Sequence, residues 1–269
     1  MSRPDPIRRL LIAAAVATLG LLLILPLVVV VGSALQDGWA VWKDAVTHPQ
    51  ARAALRLTLL ATVIAVPLNA VFGVAAALLI THHRPRGRNL LISLIDLPFT
   101  VSPVVAGLML VLIFGAQSSL GAWLIANGTP VIFAVPGIVL ATVFVTFPFV
   151  ARELMPLLEA RGTDEEVAAV SLGARGWAVF RRVTLPGMRW GLLYGLVLCT
   201  ARAVGEFGAV SVVSGHIRGR TNTLPLHVEV LFNEYQTTAA FAVASLLTLL
   251  AVMTLLVKEA VGQHVKGRK

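Results

Sequence analysis

Side chains able to do chemistry are sparse in this sequence of 269 residues, and the pair set at a telling interval is Arg202 and Glu206. Four positions apart on a helix, they share a face and can pair as ions. Both lie inside a long apolar stretch, where an ionisable group costs at least about 2.5 kcal/mol at a bilayer centre and usually faces protein or water. Two roles follow. On a translocation pathway, Arg202 would stabilise a passing anion or lock a gate. As a buried ion pair, the two would instead fix helix packing, and Glu206 would weaken the pull of Arg202 on anions. Asp96, in another apolar stretch beside Pro98, reads as structural: it reaches the edge of its span or accepts backbone N–H groups at a helix break. His82 and His83 sit in a basic loop and read as solvated surface. Cys199 is the single cysteine, so it forms neither an intrachain disulfide nor a Cys-rich metal site and reads as a small packing residue. No metal-ligand cluster, hydrolase constellation or G-x-x-x-x-G-K-[ST] phosphate loop occurs, which assigns any ATP hydrolysis to a separate subunit.

The elements that must hold these residues are membrane helices. Hydrophobic residues make up 57% of the chain and charged residues 13%, against roughly a quarter charged in soluble domains. A span needs about 20 consecutive apolar residues, and six stretches qualify, at residues 10–31, 57–80, 90–114, 131–150, 190–213 and 239–257. The expected fold is therefore a single all-α integral membrane domain with six transmembrane helices. The first apolar run, 22 residues long, exceeds the roughly 7 to 15 of a signal-peptide core and is read as a retained span. Pro98, Pro103, Pro136 and Pro148 predict kinks or breaks, which survive in a bilayer only where protein or water satisfies the freed carbonyls. The segment SPVVAG, with Ser102 and Pro103, is a candidate pathway wall or gate.

Basic residues set the orientation, because cytoplasmic loops carry the excess of Lys and Arg. With the N-terminus inside, the inner segments hold Arg3, Arg8, Arg9, Arg84, Arg86, Arg88, Arg152, Arg161, Arg175, Arg181, Arg182, Arg189, Lys258, Lys266, Arg268 and Lys269, sixteen of the 22 Lys and Arg. Both termini are thus expected in the cytoplasm, with the chain in a bacterial inner membrane. The net charge of +9 is explained by topology and needs no nucleic-acid partner. The outer segment from Ser214 to Thr238, carrying His216, Arg218, Arg220, Thr221, Asn222 and Thr223, is either a mouth offering donors to an anion or a solvated loop.

The longest inner loop, residues 151–189, is expected to be structured. Thr163 and Glu166 have the spacing of a capping box, and Asp164 and Glu165 add negative charge at the positive end of a helix dipole. A helix is predicted from about Thr163 to Gly173, a residue suited to a left-handed C-cap. So short a helix is marginal alone and needs something to dock against. A second amphipathic piece carries Trp177, Phe180 and Val183, with Arg175, Arg181 and Arg182 between them, and is expected to end at Leu185 and Pro186. Its bland role is to rest on lipid headgroups.

This loop resembles that of the permease subunits of bacterial ABC importers, which carry Glu-Ala-Ala, three residues, Gly, nine residues, then Ile-x-Leu-Pro. Ala168 and Ala169 match the alanines, Gly173 the glycine, Val183 the isoleucine, and Leu185 and Pro186 the ending; Val167 stands at the glutamate position, with Glu166 one residue earlier. Adjacent helix positions point about 100° apart, so Glu166 is expected to cap rather than replace the motif glutamate. Within the family the chain is similar to sulfate/thiosulfate permease subunits, with molybdate permeases as near relatives, on DLPFTVSPVVAGL (Asp96 to Leu108), RWGLLYGLVLCTARAVGEFGAVSVVSGHIRG (Arg189 to Gly219) and TNTLPLHVEVLFNEY (Thr221 to Tyr235). The resemblance implies the type I ABC importer permease architecture, with Glu166, Val167, Ala168, Ala169, Gly173, Leu185 and Pro186 in the element that couples to the ATPase. It implies as partners a homologous permease subunit, two ABC ATPase subunits that use the ATP, a periplasmic sulfate/thiosulfate-binding protein and membrane lipid, with no cofactor in this chain. Molybdate or tungstate is the alternative substrate. A stand-alone secondary anion transporter would show inverted repeats and pathway carboxylates or a cation site; the sequence shows no repeat and the inner helix would have no purpose there, and an intramembrane enzyme would have only Arg202 and Glu206 to work with.

Overall fold

A computed structural model of the chain describes residues 6–83 and 85–266, and among them all regular structure is helical. Arg3, Arg84, Arg268 and Lys269, and the side chains of Arg8, Arg9 and Lys266, lie outside the described residues. In chain order the helices are α1 (Pro6–Leu35), α2 (Trp39–Thr47), α3 (Pro49–Leu78), α4 (Arg88–Thr100), α5 (Pro103–Phe114), α6 (Ser119–Ala126), α7 (Val135–Thr146), α8 (Pro148–Arg161), α9 (Asp164–Ser171), α10 (Gly176–Val179), α11 (Leu185–Val204), α12 (Gly208–Ser214), α13 (Leu224–Asn233) and α14 (Thr237–Lys266). Two π-turns interrupt them: Leu79–His83 closes α3, and Phe180–Thr184 joins α10 to α11.

Among the described residues, four helical segments are long and apolar enough to cross a membrane, Leu10–Leu35, Pro49–His83, Val135–Arg161 and Thr237–Ala260, and two bent pairs bring the crossings to six when each counts as one. The segment expected as one span over 90–114 is broken: α4 and α5 meet at 106°. Pro103 is the cause. It has no N–H to continue a helix, and it forces the preceding Ser102 into extended backbone (φ −56, ψ 134). The expected span 190–213 likewise bends by 50° between the helix that ends at Val204 and α12. The expected inner loop 151–189 is much shorter. α8 carries the fourth span on to Arg161, because Ala151, Leu154, Met155 and Leu158 continue a buried stripe at helical spacing. Helix then resumes in α9 at Asp164 and again at Gly176. Leu185 and Pro186 do not end it; they form the first turn of α11, where a missing N–H leaves no partner wanting.

α3 is the central post. Its buried positions are Ala51, Ala54, Thr58, Ala61, Thr62, Ala65, Asn69, Gly73 and Ala77 together with Leu57, nearly all small, and small faces let membrane helices approach backbone to backbone. α8 lies in the groove between α3 and α11. A Cβ on Gly73 would stand 2.7 Å from Val150 Cβ, and one on Gly195 only 3.2 Å from Val150 Cα. One polar node sits in this packing: the Asn69 amide donates to Thr146 Oγ1 at 2.7 Å and faces Cys199 Sγ at 3.6 Å, linking α3, α7 and α11. Around α3 the core is Leu57, Ile138, Ala141, Val145, Val210 and Val213 towards one end and Ile80, Val150, Leu154, Leu158 and Met188 towards the other. α1 packs chiefly along α14 and otherwise presents leucines and valines outward, as a lipid-facing or partner-facing span does.

Gly73→Val is expected to lower stability by about 1–3 kcal/mol through overpacking against Val150, read as a fall in the thermal unfolding midpoint in detergent. Gly20→Val, where nothing lies within 4 Å, is expected to leave that midpoint in place.

Candidate functional site

α9 lies at the end of the bundle where α3 and α8 finish and α11 begins. Its C-terminus forms as the sequence predicts: Gly173 takes the left-handed conformation (φ 87), and the N–H groups of Leu172, Gly173 and Ala174 bond back to Ala168, Val170 and Ala169. Its N-terminus does not. Thr163 sits at φ −120, ψ 7 without a side-chain cap bond, far from the extended backbone that N-capping needs, so the expected capping box is absent. Glu166 turns to partners distant in sequence. Its Oε1 accepts from the Thr184 hydroxyl at 2.6 Å, and its Oε2 lies 2.8 Å from His82 Nε2. Bonds to a charged carboxylate are roughly twice as strong as neutral ones, which outweighs a local cap. His82 is accordingly a half-buried partner and not the solvated residue expected. Glu165 pairs with Arg161 at the end of α8.

No residue of α9 is buried. Val167 (59% exposed), Val170 (58%), Leu172 (89%) and Trp177 (72%) leave apolar surface open to solvent, with Ala168 exposed and Ala169 half-buried. Trp177 stacks on Phe180 at 5.4 Å, so the aromatic face beside α9 is held in one orientation.

The second group of sequence-selected residues gathers where the helices break. Glu206 is 2% exposed in the hinge between α11 and α12. Its Oε1 accepts from the Ala209 N–H at 2.9 Å, tying down the start of α12, while its Oε2 lies 2.7 Å from Arg202 Nη1. One third of the Arg202 side chain remains exposed. The other break abuts this one: a Cβ on Gly208 would stand 2.9 Å from Pro103 Cβ, and one on Gly107 2.7 Å from the Ala209 carbonyl. Pro103 and Glu206 are therefore neighbours through α12, whereas Ser102 is exposed at the bend. Asp96 accepts no backbone N–H at the Pro98 turn. Its carboxylate is gripped by Arg152 of α8, Nε at 2.8 Å and Nη2 at 3.0 Å, and that guanidinium also lies over Phe99 at 5.6 Å.

At the far end, Thr221, Asn222 and Thr223 are buried and not the exposed donors expected. Thr223 precedes α13, whose first N–H, from Leu224, bonds to Thr58 Oγ1 of α3 at 2.7 Å. His216, Arg218 and Arg220 stay exposed, with Arg218 paired to Glu234. Burial, then the nearby His48 and Arg218, hold the α13 imidazole of His227 below its usual range. Sequence reasoning missed α13 although Thr223 and Pro225 are good N-cap and first-turn residues. It also missed Thr184 and Arg152, whose partners lie on distant elements, and the pair of Arg161 with Glu165 four residues on.

A helical bundle with two apposed breaks and an exposed apolar helix at one end has the form of a transporter subunit, and the comparisons agree. The profile described as "Binding-protein-dependent transport system inner membrane component" matches residues 69–267, and the chain belongs to that family of multi-pass membrane proteins. It is 49% identical over 263 residues to the sulfate transport system permease protein CysW of Synechocystis, covering 98% of this chain and 95% of that one. It is 49% identical to the protein of the same name in Escherichia coli K12, over 88% of this chain and 81% of that one, and 38% identical to the K12 sulfate transport system permease protein CysT, over 87% and 85%. In fold it is similar to a chain of a bacterial ABC transporter that imports the acidic polysaccharide alginate, with a TM-score of 0.75 at 16% identity, over 96% of this chain and 95% of that one.

Removing one member of a buried ion pair costs about 3–5 kcal/mol because it strands the other charge. Arg202→Ala is expected to lower the unfolding midpoint in detergent, and the double variant Arg202→Ala/Glu206→Gln to recover most of the loss. A double variant no more stable than the single would separate Glu206 from Arg202 energetically.

Proposed function

We propose that the chain is one of two membrane-spanning subunits of an ATP-driven importer for sulfate and thiosulfate. The observation that carries the reading is α9: a helix outside the bundle that buries none of its own residues and leaves Val167, Val170 and Leu172 largely exposed. An exposed apolar surface at the water side of a membrane protein marks a docking site. Here it would seat in an ATPase subunit, with Ala168 and Ala169 allowing close approach and the bonded Gly173 turn keeping the element stiff. Sulfate as substrate is supported by relatives near 49% identity that are sulfate permeases, which favours it over molybdate.

In this reading the α9 end faces the cytoplasm, as do both termini, and the partner permease is a different but homologous chain. Two ATPase subunits bind and hydrolyse the ATP. This chain contributes no catalytic residue, cofactor or metal to that reaction. A periplasmic binding protein meets the far end, where His216, Arg218 and Arg220 are exposed, and releases the dianion between the two permeases. Closure of the ATPases displaces α9, and the displacement passes into α11, which runs without interruption from the π-turn to the hinge at Glu206. Bending there moves α12 together with α5, packed on it at Gly208 and Gly107. The exposed part of Arg202, beside this hinge, offers the passing dianion a cation whose charge Glu206 only partly offsets.

Proteoliposomes holding this chain with its genomic neighbour subunits are expected to take up labelled sulfate on ATP addition, with uptake suppressed by excess thiosulfate and not by molybdate. Suppression by molybdate would reassign the substrate. Ala168→Arg is expected to leave the chain inserted while weakening ATPase docking by tenfold or more, the equivalent of about 1.4 kcal/mol. Undiminished co-purification of the ATPase would remove α9 from that interface.

A further inference from the structure

Glu166 departs from its two acidic neighbours in α9. Asp164 is exposed and Glu165 is largely so, but the Glu166 side chain is only 20% exposed and reaches two other elements at once. Its partner His82 belongs to the π-turn that closes α3, and its partner Thr184 to the π-turn that opens into α11. Single π-turns in helical segments are rare and concentrate at functional sites; here one carboxylate joins both. The partners are themselves held. His82 Nε2 faces Glu166 Oε2 at ion-pair distance, 2.8 Å. The other ring nitrogen, Nδ1, lies 3.0 Å from Thr81 Oγ1, and that hydroxyl bonds to the Ala77 carbonyl at 2.8 Å. Thr184 is buried.

Apolar packing does not do this work. An open cleft of about 430 Å³, lined by Leu78, Val167, Val170, Val179 and Phe180, lies between α9 and the span ends. Glu166 crosses it, and an eight-residue helix with no buried residue has little else to fix its rotation. Val167, at the position where the resembling motif places glutamate, points about 100° away and is mostly exposed. Glu165 steadies the opposite side through Arg161, whose guanidinium also reaches the Val183 carbonyl at 3.4 Å.

We infer that Glu166 is a positioning residue for energy coupling: it bolts α9 to the ends of α3 and α11 together, so that a displacement of α9 is delivered to two spans as one movement. The inference rests on α9 as the ATPase-docking element and adds what carries the force onward. Glu166 itself stays out of the docking surface. Lacking the bolt, α9 would rotate in place and ATP would be hydrolysed with little transport.

The test measures labelled sulfate uptake and ATP hydrolysis side by side in proteoliposomes holding the complete importer. Glu166→Ala is expected to keep the ATPase subunits bound while lowering sulfate moved per ATP by about fivefold or more, the lower end of typical coupling energies. Glu166→Gln, which can still accept from Thr184 but loses the charge facing His82, is expected to fall between. Thr184→Val and His82→Ala are each expected to lower the ratio, and their combination to match Glu166→Ala rather than add to it. An unchanged ratio in Glu166→Ala overturns the inference. So does loss of the ATPase subunits from that variant alone, which would put Glu166 at the docking surface. Failure of the ATPase subunits to bind even the unsubstituted chain overturns the docking reading, and the bolt with it.

Discussion

The close approach of α3, α8 and α11 is the constraint on which the rest of the molecule depends. In a bilayer no hydrophobic gain drives helix against helix, so contact must come from packing at short range and from a few polar bonds. Gly73, Gly191 and Gly195 remove the side chains that would hold α8 away from its neighbours, and Asn69 adds one hydrogen bond inside the seam. Three helices packed along their lengths bring His83, Arg161 and Thr184 to the same end. The short α9 can therefore find His82, Arg161 and Thr184 within reach, although it buries nothing of its own.

The helices break where that seam stops. α5 and α12 each follow a break, one caused by Pro103 and one centred on Gly205, Glu206 and Phe207, and the two pack on each other. Interrupted backbone at membrane depth is tolerated only where its polar groups find partners. Glu206 supplies one by accepting from Ala209, and Arg202 compensates the resulting buried charge. The pair thus braces the break, and one third of the Arg202 side chain is left exposed beside it. Asp96 and Arg152 make a comparable pair between α4 and α8, so the polar side chains within these spans stitch broken helices to continuous ones.

In the proposed function, coupling and gating would lie at opposite ends of one element. α11 begins at the π-turn that contacts Glu166 and ends at the hinge that Glu206 braces. A rigid helix between a driven end and a hinge transmits displacement without needing a chain of side-chain rearrangements, and this explains how a docking event at α9 would be felt at Pro103.

By itself the sequence determined the membrane class and the all-α fold, because hydrocarbon thickness imposes length and apolarity on each segment independently. It also determined the Gly173 turn and the pairing of Arg202 with Glu206, since both are interactions within a few residues. Tertiary structure decided the rest. The capping box at Thr163 and Glu166 was a sound local expectation that lost to His82 and Thr184, partners that no spacing rule connects. The extension of α8 to Arg161 was legible as a stripe at Ala151, Leu154, Met155 and Leu158 but was obscured by the charges beside it. The burial of Thr221, Asn222 and Thr223 and the grip of Arg152 on Asp96 were not legible at all. Local rules weigh a polar side chain against its chain neighbours, whereas a packed bundle lets it choose among every group brought within about 3 Å, and the strongest charge-assisted partner prevails.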